Sequence, residues 1–206
     1  MKKYEMTNES IEFIGVKLFR IRALQDFRDV KAGDLGGYIE KEENLSQYGN
    51  AWVHGNARVH GDAEVYGNAR VYGNARVYGN AWVHGDAWVH GDAWVYGDAR
   101  VYGDAWVYGD AEVYGDAEVY GDARVYGNAR VYKNTHLLQI GAIGSRDGIT
   151  TFFRTKHKEI YVSCGCFTGD IEKFEKAVEE EHKGTKHEKT YKLAIELAKL
   201  QIDLED

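Results

Sequence analysis

The hydrophobic positions of the chain follow two different patterns that meet near residue 132. From Gly49 to Tyr132 the sequence repeats every six residues as Gly-(Asn/Asp)-Ala-(Trp/Arg/Glu)-Val-(Tyr/His), in fourteen consecutive copies without an insertion. Within each copy a large polar or aromatic residue, a valine and an aromatic residue alternate, which is the period-two pattern of a half-buried strand. We therefore predict that every valine of the block points inward and that its neighbours point outward.

The remaining half of each repeat predicts a corner. Glycine followed by Asn or Asp favours a sharp turn, because these residues tolerate left-handed backbone, and the alanine after them is small enough to fill the inside of the corner. A three-residue strand with a three-residue turn cannot bury a core alone, so the copies must stack as coils. The pattern predicts a mainly β protein, a parallel β-helix solenoid whose ends need caps.

The two flanks of the repeat block show ordinary mixed patterns. We predict three regions: an N-terminal capping segment over 1–48, the repeat block over 49–132, and a small α+β domain with two C-terminal helices over 133–206. In the first region Val16 to Leu24 reads as a capping strand. In the last, strands are predicted at Leu137 to Ile143, Ile149 to Arg154 and Glu159 to Phe167, and helices from Asp170 to His182 and from a capping box at Thr185 to about Ile202.

The repeat unit carries a resemblance to a known family. Val-Tyr-Gly-Asn-Ala-Arg, aliphatic first and small at the fifth position, resembles the hexapeptide repeat of left-handed β-helix proteins. The stretch from Ala32 to Ile39 and on through Ser46 is similar to bacterial and phage hexapeptide-repeat proteins that are often labelled acyltransferases. The resemblance implies left-handed winding with three hexapeptides per coil, so that residues 18 apart stack on one face. It also implies a homotrimer of subunits packed side by side.

Charge and composition exclude several classes of partner. The net charge is −7, and each of the three predicted regions is net negative, so no basic face is available for duplex nucleic acid or for a membrane surface. No run of about 18 apolar residues predicts a membrane span, and the amino terminus lacks the apolar stretch of a signal peptide. Two cysteines are too few for a disulfide framework. We expect a cytoplasmic protein.

Sorting the outward positions by 18 residues gives columns of aromatic and basic side chains. The first face collects Trp52, Arg70, Trp88, Trp106 and Arg124. Alternating indole and guanidinium groups suit cation–π stacking, a subunit interface, or a grip on a flat anionic ligand, and we weigh the interface ahead of the ligand site. The candidate ligand-binding residues are Arg70, Trp88, Trp106 and Arg124 of this face, and Arg146, Arg154, Lys156 and His157, which gather basic character near the predicted hairpins.

Catalytic and metal-binding roles find less support. Four copies carry histidine where the other ten carry tyrosine, which makes these histidines aromatic substitutes first. If the protein is an acyltransferase, the resemblance requires a general-base histidine at a subunit groove, and His54 and His90 are the best placed; otherwise no catalytic residue is expected. Cys164 and Cys166 are predicted to share a strand face, but two ligands do not make a zinc site. We expect no metal and no cofactor.

Three hypotheses for function follow. The first is a non-catalytic oligomeric scaffold that binds a small anionic or nucleotide-like ligand or a protein partner, in one version a phage protein that sequesters a host signal. The second is a hexapeptide-type acyltransferase that uses acyl-CoA. The third is a purely structural self-assembling protein, which the predicted caps disfavour because they would close the ends of the solenoid.

Overall fold

The computed structural model describes residues 1–205. In chain order the strands are β1 (Tyr4–Phe13), β2 (Val16–Ala23), β3 (Leu35–Ile39), β4 (Trp52–Val53), β5 (Arg58–Val59), β6 (Glu64–Val65), β7 (Arg70–Val71), β8 (Arg76–Val77), β9 (Trp82–Val83), β10 (Trp88–Val89), β11 (Trp94–Val95), β12 (Arg100–Val101), β13 (Trp106–Val107), β14 (Glu112–Val113), β15 (Glu118–Val119), β16 (Arg124–Val125), β17 (Arg130–Val131), β18 (Leu137–Ile143), β19 (Gly148–Arg154), β20 (Ile160–Cys164) and β21 (Phe167–Asp170). Two helices follow, α1 (Ile171–His182) and α2 (Lys186–Gln201).

Strands 18 residues apart pair in parallel, which confirms the predicted solenoid with three repeats per coil. The first face is the sheet β4-β7-β10-β13-β16, the second face contains β5-β8-β11-β14-β17, and the third face is β6-β9-β12-β15. On the first face Trp88 pairs with Arg70 on one side and with Trp106 on the other. The predicted columns of outward side chains are therefore the observed ones.

The interior of the solenoid consists of one valine and one alanine from each repeat. All fourteen valines are fully buried, and the repeat alanines are at most 1% exposed. The corners need glycine for two reasons at once. At Gly85, for example, φ is +71°, and a Cβ atom would lie 2.9 Å from the backbone nitrogen of Gly103 in the next coil. Stacked corners therefore leave no room for a side chain.

The N-terminal segment closes the first coil by hydrogen bonding to its exposed carbonyl groups. Strands β1, β2 and β3 are antiparallel and extend the second face, because β3 pairs in parallel with β5. The first-coil carbonyl oxygens of Ala51, Ala57 and Ala63 accept hydrogen bonds of 2.8 to 2.9 Å from Lys3 Nζ, the Tyr38 amide and Asn44 Nδ2, respectively. The predicted capping strand is β2, while β1 and β3 were not expected from the sequence.

The C-terminal sheet closes the other end and lies between the solenoid and the helices. Its strands run in the order β18-β19-β20-β21 and all pairs are antiparallel. On β19, Phe153 joins the core of the solenoid, whereas its neighbour Phe152 joins the core formed with the two helices. The sequence prediction of one strand from Glu159 to Phe167 was wrong, because the chain turns at Gly165, where φ is +58°, and separates β20 from β21.

The second helix begins at the predicted cap, Thr185, and the first begins one residue after Asp170, which was predicted as its first residue and is its cap. Asp170 accepts a hydrogen bond from the Lys173 amide at the start of α1, and Thr185 accepts one from the Glu188 amide at the start of α2. One side of α2 is buried against the sheet and α1, while Leu193 and Leu200 on the other side are 72% and 84% exposed. Within residues 1–205 neither helix combines the length and the apolarity needed to cross a membrane.

Candidate functional site

The predicted aromatic column of the first face is packed against itself. The rings of Trp88 and Trp106 stack with centroids 4.9 Å apart and planes within 7°. The guanidinium groups of Arg70 and Arg124 lie over the two ends of this pair, 5.8 and 5.5 Å from the nearer indole centroid. Because the indole faces already touch one another, the structure leaves no space for a flat ligand between the two tryptophans.

The N-terminal end of the same face, at β4 and β7, is covered by the loop between β2 and β3. Trp52 is only 2% exposed and packs edge-on against Phe27 and Tyr4. Asp29 of the loop forms a bidentate ion pair with Arg70, and the guanidinium holds the pKa of the Asp29 carboxyl well below its usual range. Arg70 therefore stabilises the loop.

The histidines proposed for acyl transfer belong to aromatic stacks. His90 lies between Tyr72 and Tyr108, with ring centroids 5.3 and 5.1 Å away. His54 lies under the β2–β3 loop and packs edge-on against Tyr72. Burial lowers the pKa of both histidines below the ordinary value of 6.5, so both are neutral near pH 7.

The basic residues of the C-terminal domain do not form the single cluster that the sequence suggested. Arg154 is 1% exposed, and its guanidinium lies over the ring of Tyr132 at 5.4 Å. Lys156 and His157 lie in the turn between β19 and β20, whereas Arg146 lies in the turn between β18 and β19. These turns are at opposite ends of β19, roughly 20 Å apart for a seven-residue strand. The expected gathering of these four residues was wrong.

The structure instead brings Arg146 to Arg124, at the junction of the first face and the C-terminal sheet. Both arginines line a cavity of about 420 Å³, which we call the arginine cavity. The remaining lining residues come from the last repeats, from β19 and β20, and from two glycine-containing turns: Asp122, Gly148, Ile149, Thr151, Ser163, Gly165 and Cys166. Two arginines, one aspartate, one threonine and one serine thus line one space, and their formal charges sum to a positive value.

A second cavity of about 520 Å³ lies next to the first, between the sheet and the helices, and we call it the aromatic chamber. It shares with the arginine cavity a wall made of Arg146, Gly148, Ile149, Gly165 and Cys166. Its other walls are mostly apolar or aromatic, with a polar rim: Ile143, Ser145, Cys164, Phe167, Phe174, Ala177, Val178, Glu181, His182 and Tyr191. The two cavities therefore adjoin each other at these five residues, and we call the pair the groove, with a polar half and an aromatic half.

The two cysteines have different positions in this groove. Cys164 ends β20, where its sulfur accepts a hydrogen bond from Thr150 Oγ1 at 3.1 Å and contacts the Tyr191 hydroxyl at 3.5 Å. Burial and the neighbouring Cys164 raise the pKa of Tyr191 above its usual range, so its hydroxyl stays protonated. Cys166 lies in the following turn and is exposed. The prediction that both thiols share one strand face was wrong, because the turn separates them.

Some groove residues could not be found by sequence reasoning. The sequence predicts Phe167 and His182 only as the ends of a strand and of a helix, and Phe174 and Tyr191 only as residues within the two helices. Their common cavity arises from how α1 and α2 pack on the sheet, and no local motif reports that packing. Among residues 1–205 no group of three or more His, Cys, Asp or Glu side chains is arranged to hold a metal ion.

Comparison with known proteins concerns the solenoid. The family model described as "YdcK Beta solenoid repeat" matches residues 63–77, 69–85, 75–91, 93–109 and 123–139. The chain is also 39% identical over 62 residues to a protein of Escherichia coli (strain K12) named "Uncharacterized acetyltransferase YdcK". That alignment covers 26% of this chain and only 19% of the relative. The repeat block is thus a β-solenoid with repeats similar to those of YdcK, and Arg146, Phe167 and Phe174 lie outside the residues that the repeat model matches.

Proposed function

We propose that this protein is a binding protein for a small anionic ligand, nucleotide-like molecules included, and that the groove at the end of the solenoid is its binding site. The observation that carries the proposal is the meeting of Arg124 from β16 and Arg146 from the β18–β19 turn in one cavity. Guanidinium groups bind phosphate and carboxylate oxygens through two parallel hydrogen bonds, and paired arginines on separate elements can contact one anion from two sides.

The surroundings of the arginines support this role. Thr151 and Ser163 are at most 4% exposed and add hydroxyl donors to the same cavity. Gly148 begins β19 and Gly165 lies in the turn between β20 and β21, and the lack of side chains at both leaves room for a ligand to approach the backbone. Asp122 also lines the cavity, and its negative charge offsets one of the two positive charges. The site therefore favours an anion that contacts both arginines over one that contacts a single arginine.

Titration calorimetry with inorganic phosphate and pyrophosphate tests the proposal. We expect the wild-type protein to bind pyrophosphate, and Arg124→Gln and Arg146→Gln each to weaken binding by about tenfold or more, because each removes one charge-assisted contact. Arg100→Gln is the matched control, since Arg100 lies on the third face and pairs with Glu118 at 3.3 Å. Absence of pyrophosphate binding, or equal losses in all three variants, would refute the proposed site.

The homotrimer remains part of this proposal. Exposed aromatic side chains mark subunit contacts in many proteins, and on the third face Trp82 and Tyr120 are 40% and 46% exposed. Native mass spectrometry should give one closed oligomer, which Trp82→Glu should weaken if the third face is buried between subunits. A monomer at all concentrations would contradict this assembly.

Acyl transfer is the second candidate function, favoured by the printed name of the YdcK relative. Such a reaction moves an acyl group from a thioester to an amine or hydroxyl and releases the thiol, with a base taking the proton of the acceptor. His182 and Glu181 line the aromatic chamber, which places a histidine in the groove that neither His54 nor His90 lines. Thiol release from acetyl-CoA in the presence of an amine acceptor, lost in His182→Gln, would support this function over simple binding.

A further inference from the structure

The aromatic half of the groove restricts the kind of anion that fits. Four ring-bearing side chains line the chamber, namely Phe167, Phe174, His182 and Tyr191. The rings of Phe167 and Phe174 are tilted by 49° with centroids 5.0 Å apart, and Phe174 meets Tyr191 edge-on at 5.5 Å. Tyr191 in turn stacks on His182 at 5.5 Å. The chamber is therefore lined by a connected set of rings that present both edges and faces.

The chamber is large enough for a ligand group and adjoins the charged half of the groove. Its volume of about 520 Å³ lies within the usual range for small-molecule sites. Arg146 belongs to the lining of both cavities, so this residue lies at the boundary between the aromatic and the charged halves. A ligand held by Arg124 and Arg146 through an anionic group would extend its other end along this boundary into the chamber.

We infer that the ligand of this groove is an aromatic anion, a molecule that places a phosphate or carboxylate on Arg124 and Arg146 and a planar ring in the aromatic chamber. This inference rests on the proposed anion site and specifies the chemical class of the ligand. Ring-lined walls favour a planar ring over an aliphatic chain, because rings add edge-to-face and stacking contacts to the burial of apolar area. Inorganic anions use only the charged half of the groove.

Three phosphate probes test the inference by titration calorimetry: inorganic phosphate, phenyl phosphate and n-hexyl phosphate, which carries six carbons without a ring. We expect phenyl phosphate to bind about tenfold tighter than inorganic phosphate, and also tighter than n-hexyl phosphate. Ala177→Phe fills the chamber from α1 and should abolish the advantage of the phenyl group while leaving inorganic phosphate binding unchanged. Lys176→Phe adds the same ring at the exposed neighbouring position and should preserve the advantage.

The outcomes separate this inference from the proposed anion site. Phenyl phosphate and inorganic phosphate of equal affinity would overturn the aromatic ligand and leave the anion site intact, as would n-hexyl phosphate binding as tightly as phenyl phosphate. Failure of all three probes to bind would overturn the aromatic ligand, and failure of pyrophosphate as well would overturn both proposals. An advantage of phenyl phosphate that persists in folded Ala177→Phe protein, checked by circular dichroism, would place the ring outside the chamber and refute the inference.

Discussion

Single residues in the repeats are constrained by the next coil as much as by their own backbone. Each corner glycine from Gly61 to Gly109 has positive φ and lies against the backbone of the glycine 18 residues later. Gly55 also has positive φ, +58°, but a Cβ atom there would meet no atom within 4 Å. Comparing Gly55 with the other corner glycines therefore separates two free-energy costs of a side chain, that of left-handed backbone and that of close approach to the next coil.

We therefore expect Gly85→Ala to destabilise the protein more than Gly55→Ala. The left-handed backbone costs about 1 kcal/mol at either position, and the contact with Gly103 adds about 1 to 3 kcal/mol at Gly85. Urea unfolding followed by circular dichroism measures both values. Equal losses of stability in the two variants would show that coil spacing relaxes to admit a methyl group.

The stacked histidines predict a pH dependence. His84 lies between Tyr66 and Tyr102 as His90 lies between Tyr72 and Tyr108, and burial lowers the pKa of both histidines below 6.5. As pH falls below about 6.5 the unfolded chain takes up these protons before the folded chain does, so the free energy of unfolding decreases on acidification.

The double variant His84→Tyr/His90→Tyr should lose less stability than the wild type between pH 7 and pH 5. Tyrosine occupies the same position in ten other repeats and stacks in the same two columns, so packing is preserved while the titrating groups are removed. Thermal unfolding at each pH measures the difference. The same pH slope in both proteins would mean that the stacked rings do not resist protonation.

At the scale of elements, the ends of the solenoid depend on a few polar side chains. Asn44 is fully buried; its Nδ2 donates to the carbonyl oxygens of Gly61 and Ala63, and its Oδ1 accepts from the amides of Glu40 and Lys41. Its side chain thus bonds to carbonyl groups of the first coil that have no preceding coil to pair with. The cap was expected from the need to cover an open edge, but the polar contacts of Lys3 and Asn44 that complete it were not.

Asn44→Ala should cost about 2 to 4 kcal/mol of stability, because buried backbone groups lose their partners. Asn50→Ala is the matched control: Asn50 makes one side-chain bond, to Asn68, at a partly buried corner, and its loss should cost less than about 1 kcal/mol. Denaturant unfolding of the two variants compares them. Similar small losses would mean that water replaces the Asn44 bonds and that the first coil is not sealed.

At the scale of the whole molecule, β19 couples the solenoid to the helices. Phe153 and Phe152 are adjacent and both fully buried, but they belong to different cores. Tyr126 of the last complete coil packs edge-on against Phe153 at 5.2 Å and donates a hydrogen bond to the Val162 carbonyl oxygen. The groove lies in this junction, so its shape depends on both cores.

Phe153→Ala and Phe152→Ala should each cost about 3 to 5 kcal/mol but loosen different parts of the protein. Hydrogen exchange should show lost protection in the last coil, 115–132, for Phe153→Ala, and in α1 and α2 for Phe152→Ala. If either variant loosens both regions equally, the solenoid and the C-terminal domain unfold as one cooperative unit, which would contradict a division of the chain at residue 133.

The sequence by itself determined the solenoid, the inward valines and alanines, the three columns of surface side chains, the two C-terminal helices and the cap at Thr185. Each depends on a repeating local pattern or on residues a few positions apart. It also singled out Arg124 and Arg146, although for separate reasons. Only the tertiary structure decided that these two arginines meet, that Arg70 and Arg154 are committed to packing, and that a chamber opens beside Phe174. These features depend on how a non-repeating sheet docks on the end of the solenoid, and contacts between distant segments leave no periodic trace in the chain.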